Sequence, residues 1–253
     1  MGRPALNPRP QTVFCVHGEE GSATALAARV RTAVADVVRM QADCGIDVVT
    51  DGEMGKASFV TYVLERLDGF SSTEGEPMLP PSWQVEIDAF PEYYADYLGK
   101  YTKTVSPLRV MRCTGPVSYV GHDDVATDIA TLKEAVAQVD VLEAFMPSAS
   151  PYGFGSNGFY GSDAEYELAV GEALRAAILA IVDAGLVLQV DDPWLIEILS
   201  DDGRRTEQER DRAAREHVEA LNHALRGIPA DRVRLHTCYG LNHGPRVHDL
   251  DFR

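Results

Sequence analysis

Basic residues are scarce in this chain: 23 Lys and Arg stand against 39 Asp and Glu, for a formal net charge of −16. Phosphate binding needs clustered cations, so the balance excludes a nucleic-acid binder and argues equally against an anionic membrane surface. The acid excess reads as a solvated exterior that favours solubility. Cysteine is also sparse. The four residues Cys15, Cys44, Cys113 and Cys238 are scattered, with no C-x-x-C, which excludes a disulfide framework and points to a reducing, cytoplasmic setting. No signal peptide is visible, and no apolar run approaches the ~18 residues of a membrane helix. No G-x-G-x-x-G follows the first strand and no G-x-S-x-G occurs, which weakens dinucleotide and serine-hydrolase readings. The stretch "GFGSNGFYG" lacks the Lys-Ser/Thr ending of a phosphate loop and reads as a flexible loop with aromatic contacts.

What is present is a repeated helix-then-strand grammar. Residues 1–11 are Pro-rich and polar, and read as a disordered tail before a single domain over 12–253. From Ala23 the apolar spacing Leu26, Val30, Val34, Val37, Val38 predicts an amphipathic helix, ended by Gly45. "IDVVT" then reads as a short buried strand landing on "DGEMGK". A strand is expected from Leu108, followed by a Thr114-Gly115-Pro116 turn and a helix on Ile129, Leu132, Val136 and Val139. A long helix over Asp163 to Asp183 precedes the strand of "LVLQVDDPWL", and a helix around Ala213 to Leu225 feeds "VRLHTC". Strands buried on both faces and alternating with helices predict a parallel sheet. An open doubly wound sheet and a (β/α)8 barrel compete. Useful residues at the C-terminal ends of several strands favour the barrel. The stretches 71–104 and 146–162 are too long for simple connectors and read as lids or substrate walls.

Three strand ends carry the candidate chemistry. His236 and Cys238 are two apart, and on a strand that spacing puts both side chains on one face. Imidazole and thiolate make a zinc-type pair; a core cysteine beside a loop histidine is the alternative. In "TDGEMGK", Asp51 and Glu53 could grip an amine or do acid–base work. They could equally meet the dipole of the following "ASFVTYVLERL" helix. In "VDDPWL", Pro193 suits the first helical position, so Asp192 has a capping role available and Asp191 is the better functional candidate.

Taken in order, "DVVTDGEMGK", "CTGPVSY", "LQVDDPWL" and "LHTCYGLNHGP" resemble the cobalamin-independent methionine synthase family, and most closely its short single-domain members that match only the catalytic C-terminal half. The resemblance covers about residues 30 to 253. It implies a (β/α)8 barrel with zinc at the C-terminal mouth, His236 and Cys238 as zinc ligands, and Glu53 and Asp191 on the amino group of a homocysteine-like substrate. It further implies methyl transfer from a 5-methyltetrahydrofolate-type donor to that thiol, giving methionine, with small molecules as the partners. An epoxide–thiol transferase of the coenzyme M type on the same scaffold is the alternative within the family. The chain departs from the pattern after His236 and Cys238. The family's further ligands, a Glu and a second Cys on later strands, have no counterpart before Arg253, and the opening strand is at best degenerate in "TVFCVHGEEGS". About three of the eight strands are expected to be absent, leaving a barrel incomplete at its C-terminal end. With two protein ligands zinc would be held weakly, and an inactive fragment is a third reading. His243 and His248 are expected as substrate or lid residues, with a stand-in ligand role as the alternative.

Overall fold

The computed structural model describes residues 20–73, 81–101, 110–200 and 205–238. The expected tail over residues 1–11, and both His243 and His248, lie outside them. Helix α1 (Glu20–Asp43) carries the expected stripe: Val34 and Val38 are buried and Val30 and Val37 half-buried, while Leu26 is exposed. Gly45 closes it at φ 80, a left-handed conformation that glycine adopts without a Cβ penalty, its amide donating to the Ala42 carbonyl.

Four strands then assemble in parallel. They are β1 (Val48–Val49), β4 (Glu143–Ala149), β6 (Val187–Asp191) and β7 (Val233–His236), in the spatial order β1-β4-β6-β7. Parallel neighbours need crossovers. The helix α5 (His122–Val136) leads into β4, α6 (Asp163–Asp183) links β4 to β6, and α7 (Trp194–Leu199) with α8 (Glu207–Leu225) links β6 to β7. The register brings strand ends level: Ala149 pairs with Asp191, and Asp191 with His236. Leu188 and Val190 of β6, Met146 of β4, Leu132 of α5 and Ile178 and Ile181 of α6 form the centre of the core. The helix starts follow local chemistry. Ser162 caps α6, and Thr206 with Glu209 forms a capping box on α8. The parallel α/β reading holds. No closed barrel forms among the described residues, and Arg234, Leu235 and His236 of the outermost strand β7 are exposed.

A second sheet departs from expectation. β2 (Leu67–Thr73) runs antiparallel to β3 (Val110–Tyr119), and β5 (Ser156–Asn157) pairs parallel to β3. Thr114-Gly115-Pro116 is therefore no terminal turn. It lies inside β3, where pairing jumps from Phe70↔Cys113 to Asp68↔Ser118. The extra residues bulge out, and a proline without an amide is tolerated at such a break. Gly69, at φ 94, sits so close to this bulge that an added Cβ would lie 2.5 Å from the Pro116 carbonyl oxygen. The supposed loop 71–104 is also corrected in part. Its described portion holds the end of β2 and a helical hairpin, α3 (Pro81–Ala89) and α4 (Pro91–Tyr101). Prolines open both helices, where their missing amide costs nothing, and Trp83, Tyr93, Tyr94 and Tyr97 interlock by ring contacts. Within 146–162, residues 146–149 belong to β4. The remainder is tethered: Phe154 is buried, Asn157 accepts the amides of Phe159 and Tyr160, and the Tyr160 hydroxyl accepts that of Val117.

Leu188 is fully buried at the centre of the parallel sheet. Leu188→Ala is expected to cost about 3 kcal/mol through lost burial and the cavity left behind. A lowered urea midpoint at unchanged slope would register it; an unchanged midpoint would place Leu188 outside the core.

Candidate functional site

The loop after β1 is shaped by Asp51. This buried carboxylate accepts the Glu53 amide at 3.0 Å and the Thr50 hydroxyl at 3.2 Å. It turns the chain through two successive left-handed residues, Gly52 (φ 61) and Glu53 (φ 54). A glutamate pays for that conformation. The turn brings its carboxylate to 3.0 Å from Lys56 Nζ. Neither acid caps the next helix, α2 (Phe59–Leu64). Ser58 does, its Oγ accepting the Thr61 amide. The dipole explanation of Asp51 and Glu53 is thus overtaken by a local serine.

At the end of β6 the paired aspartates have different surroundings. Asp191 Oδ1 accepts Gln189 Nε2 at 2.7 Å and lies 2.8 Å from His236 Nδ1. Asp192 is fully buried. Its Oδ1 accepts the Trp194 and Leu195 amides, capping α7, while Oδ2 lies 2.6 Å from His217 Nε2. Asp192 is the structural member and Asp191 the one facing open space.

Glu53 and Asp191, 138 positions apart by 191 − 53, line one cavity together with Lys56, Tyr62, Arg66 and Tyr119. Parallel strands deliver their C-terminal ends to one rim, which is why distant residues meet there. The cavity measures about 20 Å³, room for about one water molecule. Tyr62 donates to Asp128 Oδ2 at 2.6 Å, and Arg66 pairs with the same carboxylate at 3.4 Å. Burial raises the Tyr62 phenol far above its usual range, with the charge of Asp128 adding to it. Burial likewise pushes Tyr119 up to about 12. Both phenols therefore stay neutral and act as hydrogen-bond donors or acceptors.

His236 joins this site through Asp191 and is itself half exposed. With Nδ1–H donating to a carboxylate, Nε2 carries the lone pair that a metal would need. Cys238 is partly buried and lies outside any disulfide among the described residues. Strand β7 ends at His236, so strand alternation does not extend to Cys238 and cannot by itself align the two side chains. Imidazole and thiolate suit zinc in kind. In number they fall short: among the described residues no group of three or more His, Cys, Asp or Glu could hold a metal ion, whereas catalytic zinc usually has three protein ligands.

Sequence reasoning missed Lys56 and His217. Lys56 is marked only by the burial of its side chain, which no local sequence signal announces. His217, on the inner face of α8, is fully buried and could have been found from its apolar neighbours in "EHVEAL". Its Nδ1 and Oε2 of Glu167 are buried with no hydrogen-bond partner among the described residues. Burial raises Glu167 to about 7, partly offset by His217.

A family model described as the catalytic domain of cobalamin-independent synthase matches residues 6–108. The methionine synthase of Sulfolobus acidocaldarius is 24% identical over 212 residues, covering 82% of this chain and 50% of that protein. The uncharacterized protein YxjH of Bacillus subtilis is 27% identical, with 81% and 51% covered. A 5-methyltetrahydropteroyltriglutamate–homocysteine methyltransferase of Mycolicibacterium paratuberculosis is 27% identical, with 83% of this chain and 24% of that protein covered. The structure of a B12-independent methionine synthase from Shewanella sp. W3-18-1 superposes with a TM-score of 0.59 at 19% identity, covering 88% of this chain and 54% of that one. At that identity the likeness is one of fold: an incomplete β/α barrel. The chain is similar to cobalamin-independent methionine synthases, and its first part matches the model of their catalytic domain. It spans about half the length of the first two relatives it matches.

Two outcomes follow. Asp192→Ala removes a cap and strands buried His217; a loss of about 3 kcal/mol is expected, read as a fall in Tm. Glu167 has its folded pKa raised to about 7 from 4.5, so the folded state binds the extra proton and stability falls as pH rises between those values. Glu167→Gln should therefore raise Tm at pH 8 and leave it nearly unchanged near pH 4; equal shifts at both would exclude a titrating Glu167.

Proposed function

We propose that this chain carries the amino-acid-thiol site of a methyltransferase of the cobalamin-independent methionine synthase type. The substrates are homocysteine and a 5-methyltetrahydrofolate-type donor, and the product is methionine. One observation carries the reading: Glu53 and Asp191 line a single cavity, and the Asp191 carboxylate is hydrogen-bonded to His236. Two carboxylates on one wall are suited to an ammonium group. Asp191 then serves twice, holding the amine and fixing the His236 tautomer. The substrate sulfur would sit on the His236 side of the cavity. In the reaction the sulfur–methyl bond forms as the methyl–nitrogen bond of the donor breaks, and the thiol proton ends on the donor nitrogen.

His236 and Cys238 are proposed as zinc ligands. Zinc bound there would lower the thiol pKa toward neutrality, but among the described residues the donors are too few for a catalytic ion. Cys44, Cys113 and Cys238 lie outside any disulfide among the described residues, which suits a reducing, cytoplasmic setting. No described helix is long and apolar enough to cross a membrane.

Zinc titration of the purified chain, followed by calorimetry, tests the metal assignment. Weak binding is expected, in the micromolar range or poorer, and Cys238→Ser should abolish what there is. Tight stoichiometric binding that survives Cys238→Ser would remove Cys238 from the ligand set.

A further inference from the structure

Lys56 is a lysine where a lysine is expensive. Its side chain is 7% exposed, against 44% for its partner Glu53. The ammonium makes three contacts: Glu53 Oε1 at 3.0 Å, the Pro147 carbonyl at 3.3 Å, and the Tyr62 ring, whose centroid lies 4.7 Å away. A buried cation is retained only where its charge is matched; here the direct ion pair is with the partly exposed Glu53, and Asp128 adds a longer-range attraction. Arg66, the other cation at the cavity, is differently placed. It is committed to Asp128 at 3.4 Å, to the Tyr62 carbonyl at 3.0 Å, and lies against the Tyr62 ring at 3.5 Å. None of those partners is a carboxylate that lines the cavity. The partner of Lys56 is.

Resting on the reading above, we propose that Lys56 binds the α-carboxylate of the amino-acid thiol by exchanging partners with it. The entering ammonium takes Glu53 and Asp191, and the ammonium of Lys56, released by Glu53, takes the ligand's carboxylate. Charge is conserved throughout: one internal ion pair becomes two intermolecular ones. The exchange also accounts for the small cavity. At about 20 Å³ it admits no amino acid until the Glu53–Lys56 pair parts, and both of those side chains line it. Lys56 thereby sets specificity, because a thiol lacking the carboxylate would leave its ammonium buried without a counter-charge.

The test is calorimetric titration of the full chain with L-homocysteine and with 3-aminopropane-1-thiol, the same thiol without its carboxylate. The shared sulfur cancels any contribution from bound metal. Wild type should prefer L-homocysteine. Lys56→Met should weaken L-homocysteine by about 10- to 100-fold and move the aminothiol by about twofold or less; Lys56→Arg should keep most of the preference. Equal losses for both thiols, or a preference that survives Lys56→Met, would overturn the assignment. If Lys56→Met does not fold by circular dichroism, Lys56→Gln replaces it with the same criteria. A wild type that binds neither thiol sinks the proposed function and this inference with it. A wild type that binds both equally sinks the Lys56 assignment alone.

Discussion

The buried carboxylate of Asp192 holds the working end of the sheet together. It accepts the Ser150 hydroxyl after β4, the amides that begin α7, and pairs with His217 on α8. Its own amide donates to the His236 carbonyl at the end of β7. One fully buried residue, through its side chain and its amide, thus ties two strand ends and two helices to the end of β6. A carboxyl group buried there without partners would be costly; with three hydrogen-bond donors and an imidazole around it, the desolvation is offset. Because Asp191 precedes it, the same anchorage fixes where Asp191 points and how closely it meets His236.

The charge at the site is balanced, unlike that of the chain as a whole. A protein of net charge −16 places Lys56 and Arg66 at its candidate cavity and surrounds them with tyrosines. The tyrosines stay neutral through burial, so the charged partners at the cavity are few and specific: Glu53, Asp191, Lys56 and Arg66, with Asp128 behind. A balanced set of two acids and two bases fits a zwitterion better than it fits an anion or a cation. This agrees with the likeness to enzymes named for homocysteine methylation.

Much of the architecture was readable from residue order. The apolar spacing around Val34 and Val38, the run from Asp163 to Asp183 and the strand of "LVLQVDD" all appear where periodicity puts them. The capping role of Asp192 was readable too, because Pro193 announces a helix start. The β2–β3 sheet was not, since "LDGFSST" has glycine and serines in place of a β-branched alternation. Its pairing with β3 is non-local, and no local signal encodes the bulge at Thr114 to Val117. Nor was the helical hairpin over α3 and α4, whose aromatic contacts form only once two helices face each other.

The sequence by itself determined the alternation of helices and strands and the placing of carboxylates and a histidine at strand ends. These follow from periods of 3.6 and 2 residues and from capping chemistry, which act over a few positions. Tertiary structure alone decided that Glu53 and Asp191 share a cavity, that Asp191 meets His236, and that Lys56 and His217 are buried. Those outcomes depend on which strands become neighbours and in what register, and burial is a property of the assembled layers, with no counterpart in the chain read one residue at a time.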